Sequence, residues 1–234
     1  MSGLSFPPLF RGLASAGKDP FALACAQAKA GCDAGLVVYD LRPDTLRAAL
    51  VFAPEVLLRD AMVMLPLCGV GFQNALGALA PPEVSVHLDW DGTIRINGAT
   101  AGALSVAAAP KDQETEPDWL AVGLELALWP ADEEGGVNPD VTALFSEGCA
   151  DVDAPALLEA WVRHTLVWIN RWLEEGVRPL HKEWQGIGHA VKSDVSFGAH
   201  TGTFLGVDET FGMILQSEGK TQIIPLTEIL KEVP

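Results

Sequence analysis

The 234-residue sequence predicts an α+β protein: a mixed β-sheet with packing helices, followed by a small SH3-like β-barrel at the C-terminus. Three observations carry that expectation. Pro155 to Glu175 places Leu157, Trp161, His164/Thr165, Trp168 and Trp172 at steps of three and four residues, the period of one apolar helix face. Thr93 to Ala109 reads TIRI-NG-ATAGALSVAAA, and Asn97-Gly98 is the dipeptide that a type I′ hairpin turn favours, because both central residues take positive φ. After Trp184 the chain changes to short alternating segments separated by glycines, the pattern of a small barrel.

The other elements follow in order. PPLFRGLASAGKDP is a Pro/Gly-rich lead-in, and PPLFR is not expected to form a strand. PFALACAQAKAG predicts a helix, with Pro20 in its first turn and Gly31 at its stop. GLVVYD (Gly35 to Asp40) and AALVFAPE (Ala48 to Glu55) read as strands around a short turn at Pro43-Asp44. Leu57 to about Leu79 is apolar and of helix length, weakened by its glycines and ended by Pro81-Pro82. VSVHLDW (Val84 to Trp90) alternates as a strand does, and WLAVGLELAL follows the loop Pro110 to Asp118 as another. Asp132 to Ser146 is expected to be a surface loop, its Asp132-Glu133-Glu134 run solvated. His164 falls on the apolar stripe of the long helix and reads as a partly buried core histidine rather than a catalytic one. Gly176 to Gly188 is the expected boundary, giving domains 1–183 and 184–234.

Composition excludes several classes of function. A net charge of −16 opposes a phosphate backbone, so nucleic acid is not an expected partner. No apolar run reaches membrane-spanning length, and MSGLSFPPLF lacks the basic start and apolar core of a secretory signal, so no membrane association and a cytoplasmic location are expected. Cys25, Cys32, Cys68 and Cys149 have no CxxC spacing and read as small buried hydrophobes; the five histidines show no metal-binding spacing. GLASAGKD (Gly12 to Asp19) fits G-x-x-x-x-G-K but puts a carboxylate where a phosphate-binding loop needs a hydroxyl. Gly69 to Gly71 lacks the third glycine of a dinucleotide loop and reads as helix packing through small residues.

Taken in order, these pieces resemble the biotin protein ligase and lipoate ligase superfamily, as a divergent bacterial member. AGCDAGLVVYD and ALVFAPE resemble the family's first strands, and MLPLCGVGFQNALGAL its long helix behind the sheet. HLDWDGTIRINGATAGAL resembles the signature Lys-Trp-Pro-Asn-Asp stretch with its hairpin. AVGLEL resembles a later Gly-Ile-Gly-Leu-Asn strand, the segment around ALLEAWVRHTLVWINRW the closing helix, and GTFLGVDETFGMIL the SH3-like C-terminal domain of bacterial biotin ligases.

The resemblance implies a carboxylate-activating reaction: ATP adenylates biotin or a lipoyl-type acid, and the acyl group passes to a lysine of a carrier domain. ATP, biotin or a lipoate-type acid, and a biotinyl or lipoyl carrier domain are the ligands and partner it implies. It also implies two sources of positive charge, which this sequence alters. DLRPDTLR replaces the family's Gly/Arg-rich loop and leaves Arg42 and Arg47. Asp89 stands where the family has Lys, and Lys18-Asp19-Pro20-Phe21 replaces the Ser-Thr-Asn that opens the first helix. Arg42, Arg47 and Arg95 are thus the candidate catalytic cations, and Asp89, Trp90, Gly98, Ala101, Gly102, Ala103 and Gly123 the candidate ligand-binding residues. Trp90 is either a pocket wall or core. Gly102 either lets a ligand approach the strand or marks a bulge. Arg95 is either a remaining active-site cation or a solvent-facing hairpin residue. Two functions stay open: a ligase of this superfamily with key residues degraded, or a non-catalytic descendant that binds a small carboxylate, a nucleotide or a carrier protein.

Overall fold

The computed structural model describes residues 3–130 and 138–232. Among the described residues, eleven strands and five helices form two sheets with helices packed on the larger. The first sheet contains β1 (Arg11–Ala14), β2 (Leu36–Leu41), β3 (Thr45–Phe52), β4 (Val86–Leu88), β5 (Thr93–Ile96), β6 (Ala99–Ala109) and β7 (Trp119–Ala127). Its order is β1-β2-β3-β7-β6-β5-β4, with β1 parallel to β2 and every other pair antiparallel. The second sheet is antiparallel, with β8 (Asp194–Phe197), β9 (His200–Val207), β10 (Met213–Ser217) and β11 (Lys220–Ile224) in the order β11-β10-β9-β8. A 3-10 turn, Leu226–Ile229, follows it. The mixed sheet with packing helices and the small C-terminal β-module are the α+β architecture expected from the sequence.

α1 (Pro20–Lys29) is capped by Asp19, whose carboxylate accepts the Ala22 N–H at 2.7 Å. α1 covers part of one face of the large sheet, and its Ala24, Cys25 and Ala28 form a small core with Ala49, Val51, Ala107 and Ala121. The other face carries the main core beneath α3 (Met64–Gly77) and α4 (Ala154–Glu175). Thr165 of α4 sits against Gly71, where a Cβ would come within 2.9 Å of its Oγ1, so Gly71 packs the two helices together as expected, while Gly69 faces Leu88 and Leu104 of the sheet. α4 keeps the expected span, with Asp153 as its N-cap and Gly176 at φ 76° as its stop.

Four expectations need correction. The lead-in holds a strand that was not expected: β1, four exposed residues on a sheet edge, too short to show a period, which starts at the last residue of PPLFR and takes in the first three of Gly12–Asp19. The phosphate-loop reading fails at Asp19, as the sequence suggests, since its carboxylate already occupies the N-terminus of α1. The apolar run from Leu57 is two helices, α2 (Leu58–Ala61) and α3, separated at Met62 and Val63. The strand expected over Val84 to Trp90 narrows to β4, which leaves Asp89 and Trp90 in the turn before β5. The stretch Gly176 to Gly188, for which no helix was expected, contains α5 (Arg178–Ile187), whose Trp184 is buried edge-on to Phe204 and Phe211 of the C-terminal module. The acidic run Asp132-Glu133-Glu134 lies outside the described residues.

Cys25, Cys68 and Cys149 are buried and Cys32 is half-buried; all four are free thiols. Burial pushes the Cys25 thiol up to about 11 and raises Cys68 as well, so neither is a nucleophile at neutral pH. His164 is partly buried, and burial, with Arg163 beside it, holds it below the usual histidine value. Among the described residues no helix is long and apolar enough to cross a membrane, and no group of His, Cys, Asp and Glu is placed to hold a metal ion.

Candidate functional site

The register of the large sheet sets side chains on the α1 face in rows. One row runs Asp40, Arg47, Glu125, Ala103, Thr93 across β2, β3, β7, β6 and β5. The next is Ala49, Gly123, Ser105, and the one after is Val51, Ala121, Ala107. α1 covers the third row. Over the first two, a cavity of about 190 Å³ lies among Phe21, Arg47, Ala103, Ser105, Gly123 and Glu125. Its floor is made of small residues, so a ligand there meets strand backbone closely.

Arg47 is the cation on that wall. Its Nε forms an ion pair with Glu125 Oε1 at 3.4 Å but makes no hydrogen bond, although the atom is shielded from solvent. A buried donor of this kind costs on the order of 1–3 kcal/mol and is a rare feature of native structures. Glu125 is 62% exposed and can swing into water, leaving the donor to an incoming acceptor.

The signature stretch builds a second cluster at the far side of the sheet. Asp89 receives Arg95 Nε at 3.1 and 2.9 Å through its two oxygens, and Arg95 Nη2 at 2.9 Å. Asp89 Oδ1 also meets His189 Nδ1 at 2.7 Å. The bond to Asp89 raises the Arg95 guanidinium further above its already high value. Trp90 is 5% exposed; its indole N–H donates to the Phe211 carbonyl at 2.7 Å, and its ring meets Phe197 edge-on at 4.9 Å. The stretch therefore fastens the sheet to the C-terminal module, beside a cavity of about 260 Å³ between the two. Replacing Asp89 with Lys would set a second cation against Arg95. The expected cost is about 2 kcal/mol, because the lost charge-assisted bonds are only partly open to water. Urea unfolding measures it, and an unchanged midpoint would show that the cluster holds nothing together.

The structure thus divides the expected site residues. Arg47, Ala103 and Gly123 share the smaller cavity. Asp89, Trp90 and Arg95 meet at the junction between sheets. Arg95 is neither solvent-facing nor a free cation, because its charge is spent on Asp89. Arg42 is bound to Asp40 at 2.8 Å. Gly98 forms the hairpin turn with Asn97, at φ 95° and 50°, and its carbonyl accepts from Arg95 Nη1 at 3.2 Å. Ala101 is the extra residue of a bulge, since Ile94 pairs with Gly102 and Arg95 with Thr100, and its side chain is buried in the main core. At Gly102 a Cβ would lie 2.2 Å from the Glu125 carbonyl oxygen, so its bareness serves strand-to-strand contact. Phe21, Ser105 and His189 were missed. The strand register would have found Ser105, two residues after Ala103, but nothing local points to His189, a hundred residues from Asp89.

This sheet, its hairpin and the added β-module define a chain of the biotin/lipoate A/B protein ligase family, and the chain belongs to that family, whose sequence model matches residues 6–186. Residues 194–232 match a domain of unknown function, DUF4444. The relatives place it further. A biotin–[acetyl-CoA-carboxylase] ligase of Paracoccus denitrificans is 23% identical over 172 residues, 70% of each chain. A biotin protein ligase-like protein of unknown function from Silicibacter sp. TM1040 superposes with a TM-score of 0.93 at 59% identity, covering 98% of this chain and 100% of that one. The biotin protein ligase of Aquifex aeolicus has the same fold, with a TM-score of 0.72 at 14% identity over 92% of this chain and 96% of its own.

Proposed function

We propose that the chain binds a small carboxylic acid on the open sheet face, with Arg47 as counter-ion, and does not adenylate it. The observation that carries this reading is the shielded Arg47 Nε, which makes no hydrogen bond and has only an ion pair to the exposed Glu125, on the wall of a cavity floored by Ala103, Ser105 and Gly123. A carboxylate meeting Arg47 would make a charge-assisted hydrogen bond where none now exists. Activation by ATP needs more positive charge, because two anions must meet and the α-phosphate gains charge in the transition state. Arg42 and Arg95, the other expected cations, are each held by an aspartate, and Arg47 stands in its row between Asp40 and Glu125. Biotin, lipoate-type acids and ATP enter this reading as candidate ligands because the family's ligases use them, and a carrier domain as the candidate partner.

Thermal unfolding with biotin, lipoate, octanoate and ATP, singly and together, tests the reading. A ligand that binds the native state raises the melting temperature by mass action. One of the acids is expected to do so without ATP. Arg47→Gln should weaken that acid about 10- to 100-fold, the worth of one charge-assisted bond. Glu125→Gln should strengthen it. No shift with any acid would defeat the proposal, and acid-dependent ATP–pyrophosphate exchange would restore the ligase function.

A further inference from the structure

We infer that Phe21 sets the length of the acid this site accepts, an inference that rests on the carboxylate-binding reading above. Phe21 enters the cavity from the first turn of α1, where the chain has Lys18-Asp19-Pro20-Phe21. Its ring lies directly on Gly123: a Cβ built there would fall 2.7 Å from Cδ2, 3.1 Å from Cγ and 3.3 Å from Cβ of the phenylalanine. Gly123 belongs to the second row of the open face, and Arg47 to the first. The ring therefore closes the cavity two residues along β7 from its counter-ion, a strand distance of about 7 Å. What remains is about 190 Å³. That is below the roughly 300 Å³ at which pockets for drug-sized ligands begin.

Three features make Phe21 the gauge. Its backbone is fixed, because Asp19 caps the helix and Pro20 occupies the first position, so the ring cannot retreat with the chain. The floor beneath it is glycine, so removing the ring exposes bare strand. The row beyond, Val51, Ala121 and Ala107, is sealed under Ala24, Cys25 and Ala28 of α1, so the space gained is bounded. With Phe21 present, a narrow, short acid fits between ring and guanidinium, while a fused-ring acid such as biotin meets the ring first.

The test is a ladder of straight-chain monocarboxylates from butanoate to dodecanoate, with biotin and lipoate alongside, read as the rise in melting temperature of the full chain. The wild type is expected to peak at a short chain length. Phe21→Ala should move the peak several carbons longer, and Phe21→Leu should move it part of the way while keeping the helix packed. Gly123→Ala, whose methyl would push the ring into the cavity, should move the peak shorter, so the inference stays testable if Phe21→Ala fails to fold. A peak at the same chain length in all folded variants would overturn the role of Phe21 and leave the acid site standing. No shift with any acid in any form would overturn the site itself, and the inference with it.

Discussion

Replacing Trp90 with alanine is expected to lower the stability of the chain by about 3–5 kcal/mol, the usual cost of emptying a buried aromatic position. Trp90 is 5% exposed and packs on Phe197 at 4.9 Å, so the substitution empties a packed position. The substitution also strips the Phe211 carbonyl of its 2.7 Å donor. Phe211 sits at φ 63°, a backbone region that a bulky residue rarely adopts, and the tryptophan bond helps to hold it there. For a chain of this length the loss corresponds to a fall of about 10 °C in melting temperature. Trp90→Phe keeps most of the packing and removes only the donor, so about 1–2 kcal/mol should go. Urea unfolding gives both numbers. Hydrogen exchange across 194–217 should show the C-terminal strands opening first in the alanine variant. A loss under 1 kcal/mol in that variant would show that Trp90 does not join the two sheets.

The second large effect is at Gly102. A methyl there would lie 2.2 Å from the Glu125 carbonyl oxygen and 3.0 Å from Leu126 Cα, both backbone atoms of the neighbouring strand. Neither can move without opening the β6–β7 ladder, so Gly102→Ala should cost about 3 kcal/mol, the upper end of what overpacking does. Gly186 is the control. It lies in α5 with nothing within 4 Å of an added Cβ, so Gly186→Ala should stabilise the chain by about 0.5–1 kcal/mol. Thermal or urea unfolding of the two variants decides the matter. If Gly102→Ala keeps full stability but loses acid binding, the glycine serves the ligand and not the sheet.

Much of the fold was legible in the sequence because it was written in local pattern. The Asn97-Gly98 turn appears where the dipeptide places it, and α4 keeps the span of its apolar stripe with Gly176 at the end. What could not be read depends on distant partners. β1 is four exposed residues whose strand character comes from pairing with β2, and α5 is a short helix holding Pro179 and Gly186 that is fixed by burying Trp184. The site divides in the same way. Asp89 reads locally as a reversed charge, but its effect depends on Arg95 and on His189 from the other end of the chain. Phe21 reads as one apolar residue of an alanine-rich helix, and only the docking of α1 on β7 places it on Gly123.

The borders of the large sheet have a consequence of their own. Its three central strands, β3, β7 and β6, run to eight, nine and eleven residues, while its two outer strands, β1 and β4, have four and three. Past the end of β4, residues 188 and 189 already bond to Leu88. An unpaired strand margin is a template on which foreign chains grow, and its hazard increases with its length. Here each margin presents only a few peptide units, and β1 begins with the charge of Arg11. A protein so rich in β-structure and apolar residues thus gives wandering strands little purchase.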